Sequence, residues 1–131
     1  MAVTVTIHDE LPYGKVVNQI AFVVQDEHIS VADLIRRRVH AEVQLYNLSE
    51  PGYFNGLVQP TDAEITLNGY KMRQRRQIDW EQQAEMAVQA FEANGFFILV
   101  NDHQVESLAE TLTITPETQI SFIKLVPLVG G

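Results

Sequence analysis

Cysteine is absent from this sequence, which excludes disulfides, thiolate metal ligands and a cysteine nucleophile within the chain. No apolar run approaches the roughly 20 residues that a membrane-spanning helix needs, so we expect no membrane contact. The first ten residues, MAVTVTIHDE, lack the basic start and apolar stretch of a secretory signal. These absences fit a reducing compartment, and we expect a cytoplasmic protein.

Basic residues are also scarce: 9 lysines and arginines stand against 17 aspartates and glutamates, giving a net charge of −8. Because phosphate binding needs a basic surface, we expect no nucleic-acid partner. An acidic surface suits a basic protein instead. Seven of the nine basic residues lie in two clusters, Arg36–Arg38 and Lys71–Arg76. These clusters are candidates for docking an acidic partner, but we favour solvated positions that pair with the protein's own acids.

Motifs of catalytic and metal sites are missing as well. The four histidines lack the spacing of metal ligands; they are His8, His28, His40 and His103. The sequence has neither a nucleophile elbow nor a glycine-rich phosphate loop. We therefore expect a chain that is not an enzyme and binds no metal or cofactor itself.

Hydrophobic periodicity predicts strands separated by helices. The main strands are predicted at Val3–Ile7, Val16–Val24, Phe96–Val100, Gln104–Leu108 and Gln119–Val126. The continuously apolar Phe96–Val100 is interpreted as a central strand buried on both faces. A loop over Asn47–Thr61 and a hairpin over Ile65–Met72, with an Asn68-Gly69 turn, lie between the helices.

Two helices are predicted from their caps and apolar stripes. The first, Val31–Asn47, follows Ser30, and its stripe is Val31, Leu34, Ile35, Val39 and Val43. The second follows Asp79 and stops at Asn94-Gly95, with glycine as the left-handed residue. Its stripe is Trp80, Ala84, Ala87, Val88 and Phe91. Trp80 is a candidate anchor for a partner, but its position in this stripe favours the core.

The end of the sequence carries the most specific pattern. The last predicted strand runs into Val126-Pro127-Leu128-Val129-Gly130-Gly131. With the strand–strand–helix–strand order, this ending resembles the ubiquitin-like β-grasp superfamily, and is similar to the ThiS and MoaD sulfur carriers and to bacterial ubiquitin-like modifiers. The resemblance is strongest over Phe97–Gly131, where a strand enters an Asn101 turn and a Thr115-Pro116-Glu117 loop precedes the last strand.

The resemblance implies one α+β domain over residues 1–131. Its expected architecture is a β-grasp mixed sheet crossed by the first helix, with the first and last strands parallel neighbours. A hairpin-plus-helix insertion, about 49–95, is expected to enlarge it and to tune partner choice. The extended tail, 126–131, is expected to carry the function.

The same resemblance implies the chemistry of the tail. A ubiquitin-activating-type enzyme, using ATP and Mg, is expected to adenylate the Gly131 carboxylate. Gly130, which has no side chain, is expected to let the tail pass through a narrow channel to the ATP. The modifier is then passed on as a thioester and conjugated to target amines, which implies a conjugating enzyme and a deconjugating protease. The apolar residues before the glycines are expected to bind the activating enzyme; they are Val126, Pro127, Leu128 and Val129.

Two other functions stay open from the sequence. The uncharged approach Val126–Val129 resembles that of sulfur carriers, in which the Gly131 carboxylate would become a thiocarboxylate for cofactor biosynthesis. The extra bulk of the insertion favours the modifier instead. The third function is a non-conjugated interaction domain with an incidental Gly-Gly ending, since chain ends are frequently unstructured.

Overall fold

A computed structural model describes residues 3–125 except 13, 50, 51, 55, 67, 68 and 74–76. These residues form a mixed α/β structure with ten strands and two helices. The elements are β1 (Val3–Glu10), β2 (Val16–Val24), β3 (His28–Ser30), α1 (Val31–Ser49), β4 (Tyr53–Phe54), β5 (Ala63–Thr66), β6 (Gly69–Met72), α2 (Trp80–Glu92), β7 (Phe96–Val100), β8 (His103–Gln104), β9 (Thr111–Thr113) and β10 (Ile120–Lys124). Neither helix in this part of the chain is long and apolar enough to cross a membrane.

The chain divides into two compact units. The sheet unit comprises the described residues of Met1–Leu34 and of Ala90–Val126, and the helix-pair unit comprises those of Ile35–Gln89. Helix α1 begins in the first unit and continues in the second. The second unit therefore starts well before the insertion predicted over 49–95, because most of α1 packs with it.

The sheet unit is built on a five-stranded mixed sheet with the order β2-β1-β10-β7-β8. Strand β1 pairs with β10 in parallel, with Ile7 opposite Ile120, and with β2 in the antiparallel sense. Strand β7 pairs with the other side of β10, also antiparallel. The prediction that the first and last strands are parallel neighbours is confirmed, and β10 is the central strand.

The side chains on one face of this sheet form an apolar core. Its buried side chains are Val5, Ile7, Ile20, Phe22, Val24, Phe96, Ile98, Val100, Ile120 and Phe122. The rings of Phe91 and Phe96 contact each other at 5.8 Å between centroids. The prediction that β7 is buried on both faces is wrong, since only alternate residues are buried and Phe97 and Leu99 are partly exposed. Strand β7 lies next to the two-residue β8 and has one solvated face.

Two short strands in the sheet unit escape sequence prediction. Strands β3 and β9 pair as a separate two-stranded sheet, with Ile29 opposite Leu112. Three residues are too few to show the period of two on which strand prediction depends. The predicted strand Gln104–Leu108 is also corrected to His103–Gln104. Instead of continuing as a strand to Leu108, the chain turns at Ser107, whose carbonyl accepts a hydrogen bond from the Glu110 N–H at 3.2 Å.

Helix α1 begins as predicted. The Ser30 hydroxyl oxygen accepts a hydrogen bond from the Asp33 N–H at 3.1 Å, the geometry of an N-cap. All five residues of the predicted stripe are buried. The helix ends at Ser49, two residues later than predicted. Asn47 does not stop it because its side chain bonds the backbone N–H and C=O of Ile78, at 2.8 and 3.0 Å.

Helix α2 is capped at both ends by side-chain or backbone hydrogen bonds. The Asp79 carboxylate accepts bonds from the Glu81 and Gln82 N–H groups, as predicted. At the other end the Gly95 N–H donates to the Ala90 carbonyl at 2.7 Å and the Asn94 N–H donates to Phe91, which is a Schellman motif. The left-handed residue is Asn94, with φ of 61°, and not Gly95 as predicted. Asparagine tolerates this conformation better than most residues.

The helix-pair unit contains most of α1, most of α2 and a three-stranded sheet in the order β4-β6-β5. The predicted hairpin is confirmed, but Thr66 pairs with Gly69. Gly69 therefore lies in β6 and not in the predicted turn, whose Asn68 lies outside the described residues. The predicted loop Asn47–Thr61 contains the end of α1 and the short β4.

Candidate functional site

The predicted site, the tail Val126–Gly131 with its reacting Gly130 and Gly131, lies outside the described residues. The structure describes the strand that leads into it. Strand β10 is paired on both sides up to its end, with Ile123 opposite Glu10 on β1 and Lys124 opposite Phe96 on β7. The chain therefore enters the tail from a strand held by hydrogen bonds on both edges.

Packing fixes the position of β10. Its residues Ile120 and Phe122 are completely buried, and the rings of Phe122 and Phe96 lie 5.9 Å apart. Truncation of a buried phenylalanine to alanine typically costs about 3–5 kcal/mol. The strand that leads to the tail is thus anchored in the core of the sheet unit through Ile120 and Phe122.

Two turns set where β10 begins. Asn101 and Asp102 both have positive φ, 50° and 65°, as in the two-residue hairpin turns that match strand twist. The Asn101 N–H donates to the Gln119 carbonyl at 2.8 Å, and its side-chain oxygen accepts from the Gln119 N–H at 2.9 Å. These two hydrogen bonds connect the β7–β8 turn to Gln119, the residue before β10, and so fix where β10 begins. The predicted Asn101-Asp102 turn is confirmed.

The second turn is the predicted Thr115–Thr118 loop, which is also confirmed. The Thr118 N–H donates to the Thr115 carbonyl at 3.0 Å. In return, the Thr118 hydroxyl oxygen accepts from the Thr115 N–H at 2.8 Å. The loop before β10 is thereby closed by its own hydrogen bonds, and Thr118 is buried.

An apolar strip lies on the more exposed face of the sheet at the end of β10. Ile123 is directly opposite Phe97, and both are partly exposed. Leu99 lies two residues along β7 and points to the same side, since side chains alternate along a strand. Leu125 follows directly after the end of β10 and is 45% exposed. We call Phe97, Leu99, Ile123 and Leu125 the tail-root strip.

Charge is distributed unequally between the two units. The sequence ranges of the sheet unit hold ten carboxylates and two bases, Lys15 and Lys124, while the range of the helix-pair unit holds seven of each. The whole formal charge of −8 therefore belongs to the unit from which the tail leaves. Such a field favours association with a basic surface.

Two arginines of these clusters pair with acidic residues of the protein itself. Arg36 pairs with Glu85 and Arg73 with Glu64, each at 3.9 Å and with well-exposed side chains. These pairs support the interpretation that the clusters meet the protein's own acids. Arg75 and Arg76 lie outside the described residues.

Arg38 was not recognised from the sequence as a core residue. It is completely buried and its Nε lies 3.2 Å from the Glu42 carboxylate, which is 5% exposed. The other oxygen of Glu42 accepts a hydrogen bond from the Leu57 N–H at 3.0 Å. The available signal was the i, i+4 spacing of an arginine and a glutamate on one helix.

Tyr70 completes the polar interior of the helix-pair unit. Burial raises the pKa of its phenol above the ordinary 10.0, the negative charge of Glu42 raises this pKa further, and Arg38 lowers it. Its ring stacks on Phe54, whose other ring neighbour is Tyr46. At neutral pH the phenol therefore stays protonated, and Glu42 holds the loop at Leu57 through the Leu57 N–H.

Trp80 is not the core residue that its helical phase predicts. It is 37% exposed, and its ring contacts that of His40 in a tilted arrangement, with 4.3 Å between centroids. As the first residue of α2 it lies at the rim, where the helix has not yet entered the core. Of the other histidines, His28 contacts Thr113 and His103 pairs with Glu110.

The described residues contain no group of three or more His, Cys, Asp or Glu side chains that could hold a metal ion. For comparison with known proteins, no protein-family model, no curated protein and no solved structure matches this chain.

Proposed function

We propose that this protein is a ubiquitin-like modifier that reacts through the carboxylate of Gly131, with its five-stranded sheet in the β-grasp arrangement. The observation that carries the proposal is the position of β10, between a parallel β1 and an antiparallel β7. The Gly-Gly sequence follows this central strand by only a few residues. Six extended residues span at most about 20 Å, so the tail is long enough to enter a partner's active site while the sheet docks outside it.

The proposed reaction takes place on the activating enzyme. One oxygen of the Gly131 carboxylate attacks the α-phosphorus of ATP, pyrophosphate leaves, and an acyl adenylate forms. A thiolate of the enzyme then displaces AMP to give a thioester, and a target amine displaces the thiolate to give an amide. Each covalent step replaces one difficult reaction by easier ones.

Glycine at the last two positions suits this route. The absence of a side chain lets Gly130 adopt backbone angles closed to other residues. It also leaves the Gly131 carbonyl open to an attacking thiolate or amine. Pro127 has a fixed φ and restricts the preceding Val126 toward extended backbone, which favours a straight approach for a threaded tail.

The docking surface of the activating enzyme follows from the sheet unit. The tail-root strip offers apolar contacts at the end of β10, and the surrounding unit carries the net charge of −8. We propose an enzyme surface with an apolar centre and a basic rim. Charge complementarity of this kind accelerates encounter and fixes orientation more than it adds affinity.

The test is intact mass spectrometry after incubation with candidate activating enzymes of the source cell, ATP and Mg. A modifier gives a thioester with the enzyme that a reductant cleaves, and then a target adduct that resists the reductant. Failure to form any ATP-dependent adduct would contradict the proposal and leave an interaction domain.

A sulfur carrier is the second candidate, favoured by the uncharged approach Val126–Val129. The same spectra separate it from a modifier. In the presence of a sulfur donor, the Gly131 carboxylate would exchange one oxygen for sulfur, and no protein adduct resistant to reductant would accumulate.

A further inference from the structure

Strand β2 is the outermost strand of the five-stranded sheet, and among the described residues no strand pairs with its outer edge. It has nine residues, VVNQIAFVV, without a charge, a proline or a glycine. The strand at the opposite edge, β8, has two residues. An exposed edge presents unpaired N–H and C=O groups to other chains, and proteins shield such edges by shortness, charge, proline or bulges. Shortness shields β8, whereas most of β2 has none of these features.

The regular part of β2 has two clear limits. Glu10 pairs with Val16 and Asp9 with Asn18, so the pairing with β1 is shifted at Val17. After Val24 the chain bends through residues 25–27. Between these limits every residue from Asn18 to Val24 has its partner on β1. We call these seven residues the β2 edge.

The side chains of the β2 edge alternate between the two faces of the sheet. Ile20, Phe22 and Val24 are buried in the core. The residues between them are exposed; they are Gln19, Ala21 and Val23. A strand added at this edge must place its own apolar side chains on the core side, because residues opposite each other in a sheet point to the same face.

We propose that the β2 edge pairs with the β2 edge of a second copy of this chain, antiparallel about a two-fold axis at Ala21. This register aligns Asn18 with Val24 of the second copy over the whole regular edge. It also places Ile20 opposite Phe22, so the two cores lie on the same side of one continuous sheet. The interface is isologous and closes on itself.

A second copy suits this edge better than a free extended peptide does. Its strand is already extended and ordered, since β1 pairs with it along its whole regular length. A free peptide would lose conformational entropy when it became a strand. Two copies also satisfy each other's unpaired backbone groups, whereas a peptide covers one edge at a time.

Charged residues lie only at the ends of this contact. Lys15 is exposed just before β2, and Asp26 and Glu27 are exposed just after it. Antiparallel pairing brings Lys15 of each copy towards Asp26 and Glu27 of the other. Glu10 lies opposite Val16 on β1, one strand spacing of about 5 Å further from the second copy. The net charge of −8 opposes association, so together with the small contact area we expect a weak, reversible dimer.

The first measurement is sedimentation equilibrium between about 10 μM and 1 mM protein, a range that detects weak association. We expect the mass to rise from 14.8 kDa towards twice that value. Ala21→Lys places two ammonium groups opposite each other and should raise the dissociation constant at least about fivefold. Ala21→Glu should do the same. An equimolar mixture of the two variants should associate at least about fivefold more tightly than either alone, because residue 21 lies opposite itself.

The matched control is Thr6→Lys. Thr6 is exposed and lies opposite Ala21 on β1, so this variant makes the same charge change on the same face one strand further in. In the dimer the two Thr6 positions are three strand spacings apart, about 14 Å. This exceeds the Debye length of about 8 Å at physiological salt. We expect the dissociation constant to stay within about twofold of that of the parent chain.

The absence of cysteine allows a second, independent test. Residues directly opposite each other on antiparallel strands have Cα atoms about 5 Å apart, which a disulfide can bridge. Ala21→Cys should therefore give a disulfide-linked dimer under mild oxidation, and Thr6→Cys should stay monomeric. Equal cross-linking of the two variants would contradict the register.

The parent chain decides the proposal even if a substituted chain does not fold. A monomer over the whole concentration range would overturn it. So would a dimer that Ala21→Lys leaves unchanged, an equal weakening by Thr6→Lys, or a mixture no tighter than its components. The inference does not depend on the tail, since β1 separates β2 from β10. A chain without Gly131 should form the same dimer, so failure here and failure of the proposed function are distinguishable.

Discussion

The sheet unit and the helix-pair unit differ in where they keep their charges. In the sheet unit the core is almost wholly apolar, with Asp9 the buried acid, and the excess of carboxylates lies outside. The helix-pair unit has balanced charge but encloses Arg38 and Glu42. Apolar packing tolerates exchange of similar side chains, whereas a buried ion pair depends on both partners. The two units should therefore respond differently to the same kind of substitution.

The largest effect on function, with no effect on stability, should come from changes in the tail. Deleting Gly131 shortens the reach by about 3.5 Å, which removes the carboxylate from attack range, since about 1 Å of misplacement already costs roughly a hundredfold in rate. We expect ATP–pyrophosphate exchange to disappear and the melting temperature to stay unchanged. Gly130→Val should act in the same direction because β-branching restricts the backbone. Normal exchange after the deletion would refute the role of Gly131.

The next largest effect should fall on the buried ion pair. Arg38→Met leaves Glu42 charged and buried, and we expect a loss of about 3–5 kcal/mol in the free energy of unfolding. The double variant Arg38→Met with Glu42→Gln should recover part of this loss, because no unpaired charge is left. Arg36→Met removes an exposed pair and should cost less than about 1 kcal/mol. Urea denaturation measures all three, and equal losses at Arg38 and Arg36 would show that burial does not make the Arg38–Glu42 pair more sensitive than an exposed pair.

A smaller effect should follow from the turn that holds β10. Asn101→Ala loses the hydrogen bond to the Gln119 N–H and places alanine at a positive φ. We expect a loss of about 2 kcal/mol from these two contributions. Asn101→Gly keeps the backbone freedom and should recover about half. If the two variants are equally stable, the strain at this position is negligible and the hydrogen bond alone matters.

The smallest effect should come from Tyr70. Its folded-state pKa is raised above 10.0, so unfolding favours loss of its proton. Its contribution to stability is complete below pH 10, and is lost as the pH rises through the raised folded value. Tyr70→Phe should therefore show a smaller fall in the free energy of unfolding between about pH 9 and pH 11 than the parent protein. An identical pH dependence in both proteins would show that Tyr70 titrates normally.

Sequence prediction succeeded best where local chemistry decides the structure. The bounds of β2 and the caps at Ser30 and Asp79 follow from alternation and from side chains that bond their own backbone neighbours. It failed where partners distant in sequence decide. Strands β3 and β9 exist only because they pair with each other across more than eighty residues.

The candidate site divides in the same way. The Gly-Gly ending and the turn residue Asn101 can be identified from the sequence, whereas the tail-root strip cannot. Phe97 and Leu99 read as interior residues of an apolar run, and only the one-sided burial of β7 shows that they face outward. The exposure of Leu45 and Leu48 on α1 cannot be predicted for the same reason. The sequence of a helix with apolar residues on two sides does not reveal which side is buried.

By itself, the sequence determined the period of each long element, the residues that cap the helices and the net charge, because these depend on neighbours within one or two turns of chain. Tertiary structure decided that β10 lies at the centre of the sheet, that Arg38 is buried while Trp80 is exposed, and that the acidic excess gathers in one unit. Those outcomes depend on which distant segments share a core. Pairing across long loops is governed by the total area that can be buried, which no local pattern records.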